Sequence, residues 1–120
     1  MLVTEAEEAQ VRNYIILTFA VKVLDQDLAR GFQDYKFSDL YEAAVESAVL
    51  AMREELRLLK RSFYQNRMKV EETKSPEHTL TYKIWTPRCE DELTFHKAYL
   101  RTEVRAMIEK YLFSAPPVRK

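Results

Sequence analysis

Glycine, cysteine and histidine are nearly missing from this chain of 120 residues, which holds one glycine, one cysteine and two histidines. Glycine makes up ~7% of an ordinary protein, so about eight would be usual. With Gly31 alone, the chain has no glycine-rich loop to cradle phosphates and no dinucleotide fingerprint. Cys89 alone cannot form an intramolecular disulfide, and with no signal peptide at the start it points to a reducing cytoplasm. Long apolar runs are lacking too. Tyr14 to Leu24 falls short of the ~20 residues a bilayer span needs, and Lys22 interrupts it, so no membrane partner is expected. Nineteen basic and nineteen acidic side chains cancel, which argues against a general nucleic-acid or membrane-surface binder.

What is present reads as long helices with few joints, in one domain spanning 1–120. Thr4 followed by Glu7 can satisfy the first free amides of a helix over about 4–30. Tyr14, Leu17, Val21, Leu24 and Leu28 recur at helical spacing. Ile15, Ile16, Phe19 and Val23 widen that stripe until only Asn13, Thr18, Lys22 and Gln26 offer a polar side. A helix this apolar needs several neighbours, and Gly31 suits the left-handed position that closes such a helix.

Ser38 or Asp39, with Glu42, predicts the start of a long second helix over 38–66. Its main stripe is Tyr41, Val45, Ala48, Met52, Leu56, Leu59 and Phe63. A flatter one, Leu40, Ala44, Ala51 and Leu58, adjoins it. Two stripes predict two packing partners. The period then changes from 3.6 to 2 over Met68–Thr73 and Thr79–Thr86, which predicts a β-hairpin across 68–86 with Lys74–His78 as its loop. Thr86-Pro87 reads as a cap and first turn of a third helix over 87–113. Leu93, Leu100, Val104, Met107, Ile108 and Tyr111 lie on its inward side, and a loose tail follows over 114–120. The fold expected is α+β, mainly α: a three-helix antiparallel bundle with one β-hairpin between the second and third helices.

Three phrases carry a family resemblance: Val23-Leu24-Asp25-Gln26-Asp27-Leu28, Asn66-Arg67-Met68-Lys69-Val70, and Leu100-Arg101 through Tyr111-Leu112. On these, from about Glu8 to Phe113, the chain resembles the small YhjD-type helical proteins of spore-forming Gram-positive bacteria. The resemblance implies a bacterial, cytoplasmic protein. It brings no catalytic residue, cofactor or binding residue with it.

Three constellations could carry chemistry. On a helix, Cys89, Glu92 and His96 would project on one side, and His78 could close a zinc set. The plainer reading is that Glu90-Asp91-Glu92 complements a helix dipole. Arg53, Arg57, Lys60, Tyr64 and Arg67 fall within about 80° on the second helix, with Arg61 beside them. Cations interleaved with a tyrosine could hold a nucleic-acid backbone. Alternatively, they simply favour a helix C-terminus, with Glu42 and Glu46 continuing the stripe at its other end. Run antiparallel, Glu42 and Glu46 of one copy would face Arg57, Lys60 and Arg61 of another, as a two-fold homo-oligomer requires. No nucleophile elbow, His-Glu-x-x-His or cofactor motif is present, so no catalytic residue is assigned and an enzyme is not expected. The leading expectation is a non-enzymatic interaction or scaffold protein working as a homo-oligomer or with a protein partner.

Overall fold

A computed structural model describes residues 2–114, with side chains through 113. Helix α1 spans Glu5–Arg30. Its start is the reciprocal cap read from the sequence: the Glu7 amide donates to Thr4 Oγ1 at 3.0 Å and the Thr4 amide to Glu7 Oε1 at 2.9 Å. At its end the Gly31 amide bonds the Asp27 carbonyl at 3.0 Å, with φ +85°.

Helix α2 spans Ser38–Gln65, one residue short of the expected end. The expected side-chain cap does not form. Phe37 holds the cap position, and its carbonyl takes the amides of Leu40 and Tyr41. Ser38 and Asp39 thus sit inside the first turn, where Asp39 complements the helix dipole. The far end closes with the Met68 amide on the Phe63 carbonyl at 2.8 Å and the Arg67 amide on that of Tyr64 at 3.2 Å. This wrap needs a positive φ at Arg67, which is 56°, and lays buried Met68 against buried Phe63. The two helices are antiparallel. Gln10 reaches Ser62, Tyr14 packs edge-on to Phe63, and Asp25 pairs with Arg53, so one number rises as the other falls.

The expected hairpin is part of a larger sheet. Strands β1 (Lys69–Thr73), β2 (Thr79–Trp85) and β3 (Glu90–His96) form an antiparallel sheet in the order β1-β2-β3. Residues 87–96 were expected to be helix. Instead Thr86–Cys89 is a hairpin turn: the Thr86 amide bonds the Cys89 carbonyl at 2.9 Å, and Thr86 Oγ1 accepts from the amides of Arg88 and Cys89. Proline suits such a tip as well as it suits a helix start. β3 then alternates, with Leu93 and Phe95 buried and Glu90, Glu92, Thr94 and His96 exposed. Helix α3 accordingly begins at Lys97, runs to Glu109, and widens into a π-helical turn over Lys110–Ser114. The expected tail over 114–120 lies, apart from the Ser114 backbone, outside the described residues.

α1 is packed on both sides by helices, α2 on one and α3 on the other, while α2 meets the π-helical turn rather than the body of α3. The sheet brings its inner face, with Tyr82, Ile84, Leu93 and Phe95, to the same core. Arg12 of α1 lies over the Phe95 ring at 5.2 Å. The outer sheet face is polar, with Thr81 and Thr94 bonded across it at 3.0 Å. The chain start straps this sheet down. The Leu2 and Val3 amides both donate to Asp91 Oδ2, and Arg88 pairs with Glu7 at 2.6 Å. Hydrogen bonds from the Glu92, Val3 and Leu2 amides hold the Asp91 carboxyl below its ordinary pKa. Among the described residues no helix is long and apolar enough to cross a membrane.

Candidate interaction surface on the second helix

The two stripes of α2 meet different surroundings. Ala48, Val49, Met52, Leu59 and Phe63 are buried, with Val45 and Leu56 packed against them. Tyr41, expected with this stripe, is half exposed and instead joins Phe32 and Tyr35 in an aromatic cluster at the α1–α2 connection. The second stripe has no cover from any described element. Leu40 is 62% exposed and Leu58 45%, and Ala44 and Ala51 between them are exposed as well. Leu50, which the two-stripe reading leaves out, is 68% exposed on the flank of the same side. The signal for it was present: Leu50 follows Ala43 by seven positions and Ser47 by three, so all three share a side.

Charge is sorted by sign along this helix. Its first half carries Asp39, Glu42 and Glu46 and no cation; its second half carries Arg53, Arg57, Lys60 and Arg61 together with Glu54 and Glu55. Two of the cations are engaged within the chain. Arg53 pairs with Asp25 of α1, and Arg57 donates to both oxygens of Glu54, at 3.1 and 2.7 Å. That bond holds the Glu54 carboxyl below its usual pKa and pushes Arg57 higher. Among the described residues, Lys60, Arg61, Asp39, Glu42 and Glu46 have no ion-pair partner. Tyr64 is 85% exposed. Arg67 was expected on the basic stripe, but it lies beyond the helix end at positive φ and leaves that line.

The sulfur, carboxylate and imidazole once aligned by an expected helix are dispersed by the strand. Cys89 sits in the β2–β3 turn, its sulfur 3.4 Å from Thr86 Oγ1. Glu92 and His96 share the exposed side of β3 but lie ~13 Å apart at strand rise. His96 Nδ1 instead accepts from the Ala98 amide at 3.3 Å, capping α3. His78 is tied to this corner through its backbone carbonyl, which takes the Lys97 amide. Among the described residues, no three of His, Cys, Asp and Glu gather as a metal ion requires.

Among the described residues, three helices, a small three-stranded sheet and one bare, charge-sorted helix side define a mainly helical α+β domain. The chain belongs to the YhjD family, whose model matches residues 2–116. No curated protein and no solved structure matches it.

Proposed function

We propose that this YhjD-family chain is a non-enzymatic interaction or scaffold protein of a bacterial cytoplasm, acting as a homo-oligomer or with a protein partner through the outer side of α2. One observation carries the reading: Leu40, Leu50 and Leu58 are exposed together along one helix. Single exposed leucines are ordinary, whereas an apolar line rimmed by charge is what a partner helix or groove covers. The test is retention of partners from the native cell by the wild-type chain and by Leu50→Glu/Leu58→Glu. The reading expects a bound protein, this chain or another, that the double variant loses. Identical retention by both would contradict it.

A small nucleic-acid-binding regulator is the second reading, supported by exposed Lys60, Arg61 and Tyr64. It has less to stand on, since Arg53 and Arg57 are engaged by carboxylates and Arg67 leaves the stripe. It requires affinity for nucleic acid that falls by about one log unit per log of salt for each phosphate contact.

A further inference from the structure

We infer that the partner of the α2 surface is a second copy of this chain, docked α2 against α2 in antiparallel orientation about a two-fold axis beside Leu50; this rests on the reading of α2 as a docking side. Leu40, Ser47, Leu50, Ala51, Glu54 and Leu58 fall within about 100° of one another on the helix. A two-fold axis normal to both helices pairs positions whose numbers add to a constant, and a sum of about 99 satisfies apolar and charged residues together. Leu40 then lies beside Leu58 of the second copy, Ser47 beside Ala51, and Leu50 beside itself. In the same register Glu46 lies level with Arg53, Glu42 with Arg57, and Asp39 with Lys60 and Arg61, along one flank of the contact.

The charge order selects this occupant and this direction. Acids fill the first half of α2 and cations dominate the second, so the helix is complementary to its own reverse. A parallel pair would set Arg57 on Arg57 and Glu42 on Glu42, which repel. The antiparallel pair also brings a carboxylate toward Arg61 and adds a second one beside Arg53 and Arg57, which Asp25 and Glu54 already hold within the chain. Lys60, Arg61, Asp39, Glu42 and Glu46, unpaired among the described residues, all come level with opposite charge on the second copy. At the centre, Ser47 and Ala51 are small enough for the helices to approach at the short end of the ~8–10 Å interaxial range. One helix-on-helix contact is small among specific interfaces, so the dimer forms over the micromolar range.

Single-cysteine variants read the register directly. In a Cys89→Ser background, Leu40→Cys, Leu50→Cys and Leu58→Cys are oxidised gently at about 100 µM. In the antiparallel dimer position 40 lies ~28 Å along the helix from its own copy, far beyond the ~7 Å a disulfide tolerates. Leu50→Cys alone cross-links to itself, while Leu40→Cys cross-links to Leu58→Cys only when the two are mixed. Light scattering gives twice the 14.3 kDa monomer mass, and Glu42→Arg/Glu46→Arg weakens the dimer about tenfold, since its four lost ion pairs are worth a few tenths of a kcal/mol each. Self-linking at all three positions would establish a parallel pair and overturn the inference. So would a dimer that none of the three cysteines links. A monomer at several hundred micromolar overturns self-docking, yet leaves the docking side itself to be judged by partner retention in the Leu50→Glu/Leu58→Glu variant.

Discussion

α1 and α2 are nearly equal in length, 26 and 28 residues, yet they spend their apolar side chains differently. α1 buries Val11, Ile15, Ile16, Leu17, Ala20, Val21 and Leu24, because α2, α3 and the sheet all close on it. α2 buries five residues on one side and leaves three leucines bare on the other. An apolar helix in the centre of a small domain is explained by the domain's own core. An apolar line on the uncovered side of α2 is not, and that difference separates the residues that make the fold from those the proposed interaction would use.

Matched truncations should separate the two helices most strongly. Leu24→Ala should cost ~2–4 kcal/mol, the range for emptying a packed leucine site, whereas Leu50→Ala should change stability by under ~0.5 kcal/mol. Denaturant titration measures both. A costly Leu50→Ala at a concentration where the chain is monomeric would mean that α2 has no spare side.

The sheet that closes on α1 offers a pH handle. Burial, helped by Glu72 and Tyr14, pushes the Tyr82 hydroxyl up to about 12. A raised folded pKa gives stability that is whole below the unfolded value of ~10 and is lost as pH climbs through about 12. Stability should therefore fall between those limits, and Tyr82→Phe should flatten the fall. An unchanged alkaline limb in that variant would show that the hydroxyl is not held in the core.

The helix ends sharpen the contrast further. Both close through a residue at positive φ, glycine in α1 and arginine in α2. Gly31→Ala should cost ~1–3 kcal/mol, the strain of a side chain in the extended positive-φ region that Gly31 occupies at φ 85° and ψ 173°, with the new Cβ also displacing the Gln33 side-chain amide. Arg67→Gly should stabilise by a smaller amount, ~0.5–1 kcal/mol, because relief of strain is partly offset by the greater freedom of glycine in the unfolded chain. Thermal midpoints of the two variants should move in opposite directions.

Where local chemistry decides structure, the sequence was readable. Thr4 and Glu7 cap each other because only three residues separate them, and Gly31 ends α1 because its φ suits no other residue as well. The alternation of Leu80, Tyr82 and Ile84 marked β2 for the same kind of reason. β3 was not readable in this way. Pro87 and the acids at 90–92 favour a helix start as much as a hairpin, and only pairing with β2, at Tyr82–Leu93 and Leu80–Phe95, decides for the strand. The metal set fell with that helix. Arg67 left the basic stripe because the wrap of Met68 onto Phe63 ends α2 early. The outer stripe of α2 was legible as residues, but its vacancy depends on where the sheet and α3 go, and both are set by contacts far apart in sequence. The bond of Leu2 and Val3 to Asp91 is of the same long-range kind.

The central claim is that α2 has one side for its own core and one for a partner helix. The direct test compares wild type with Leu50→Glu/Leu58→Glu, taking mass by light scattering at high concentration and unfolding free energy at a concentration where both are monomeric, so that association does not add to stability. The account predicts a dimer converted to a monomer with unfolding free energy unchanged within ~0.5 kcal/mol. A variant that keeps the wild-type mass but loses several kcal/mol would contradict it, returning the outer leucines to the fold of the single chain.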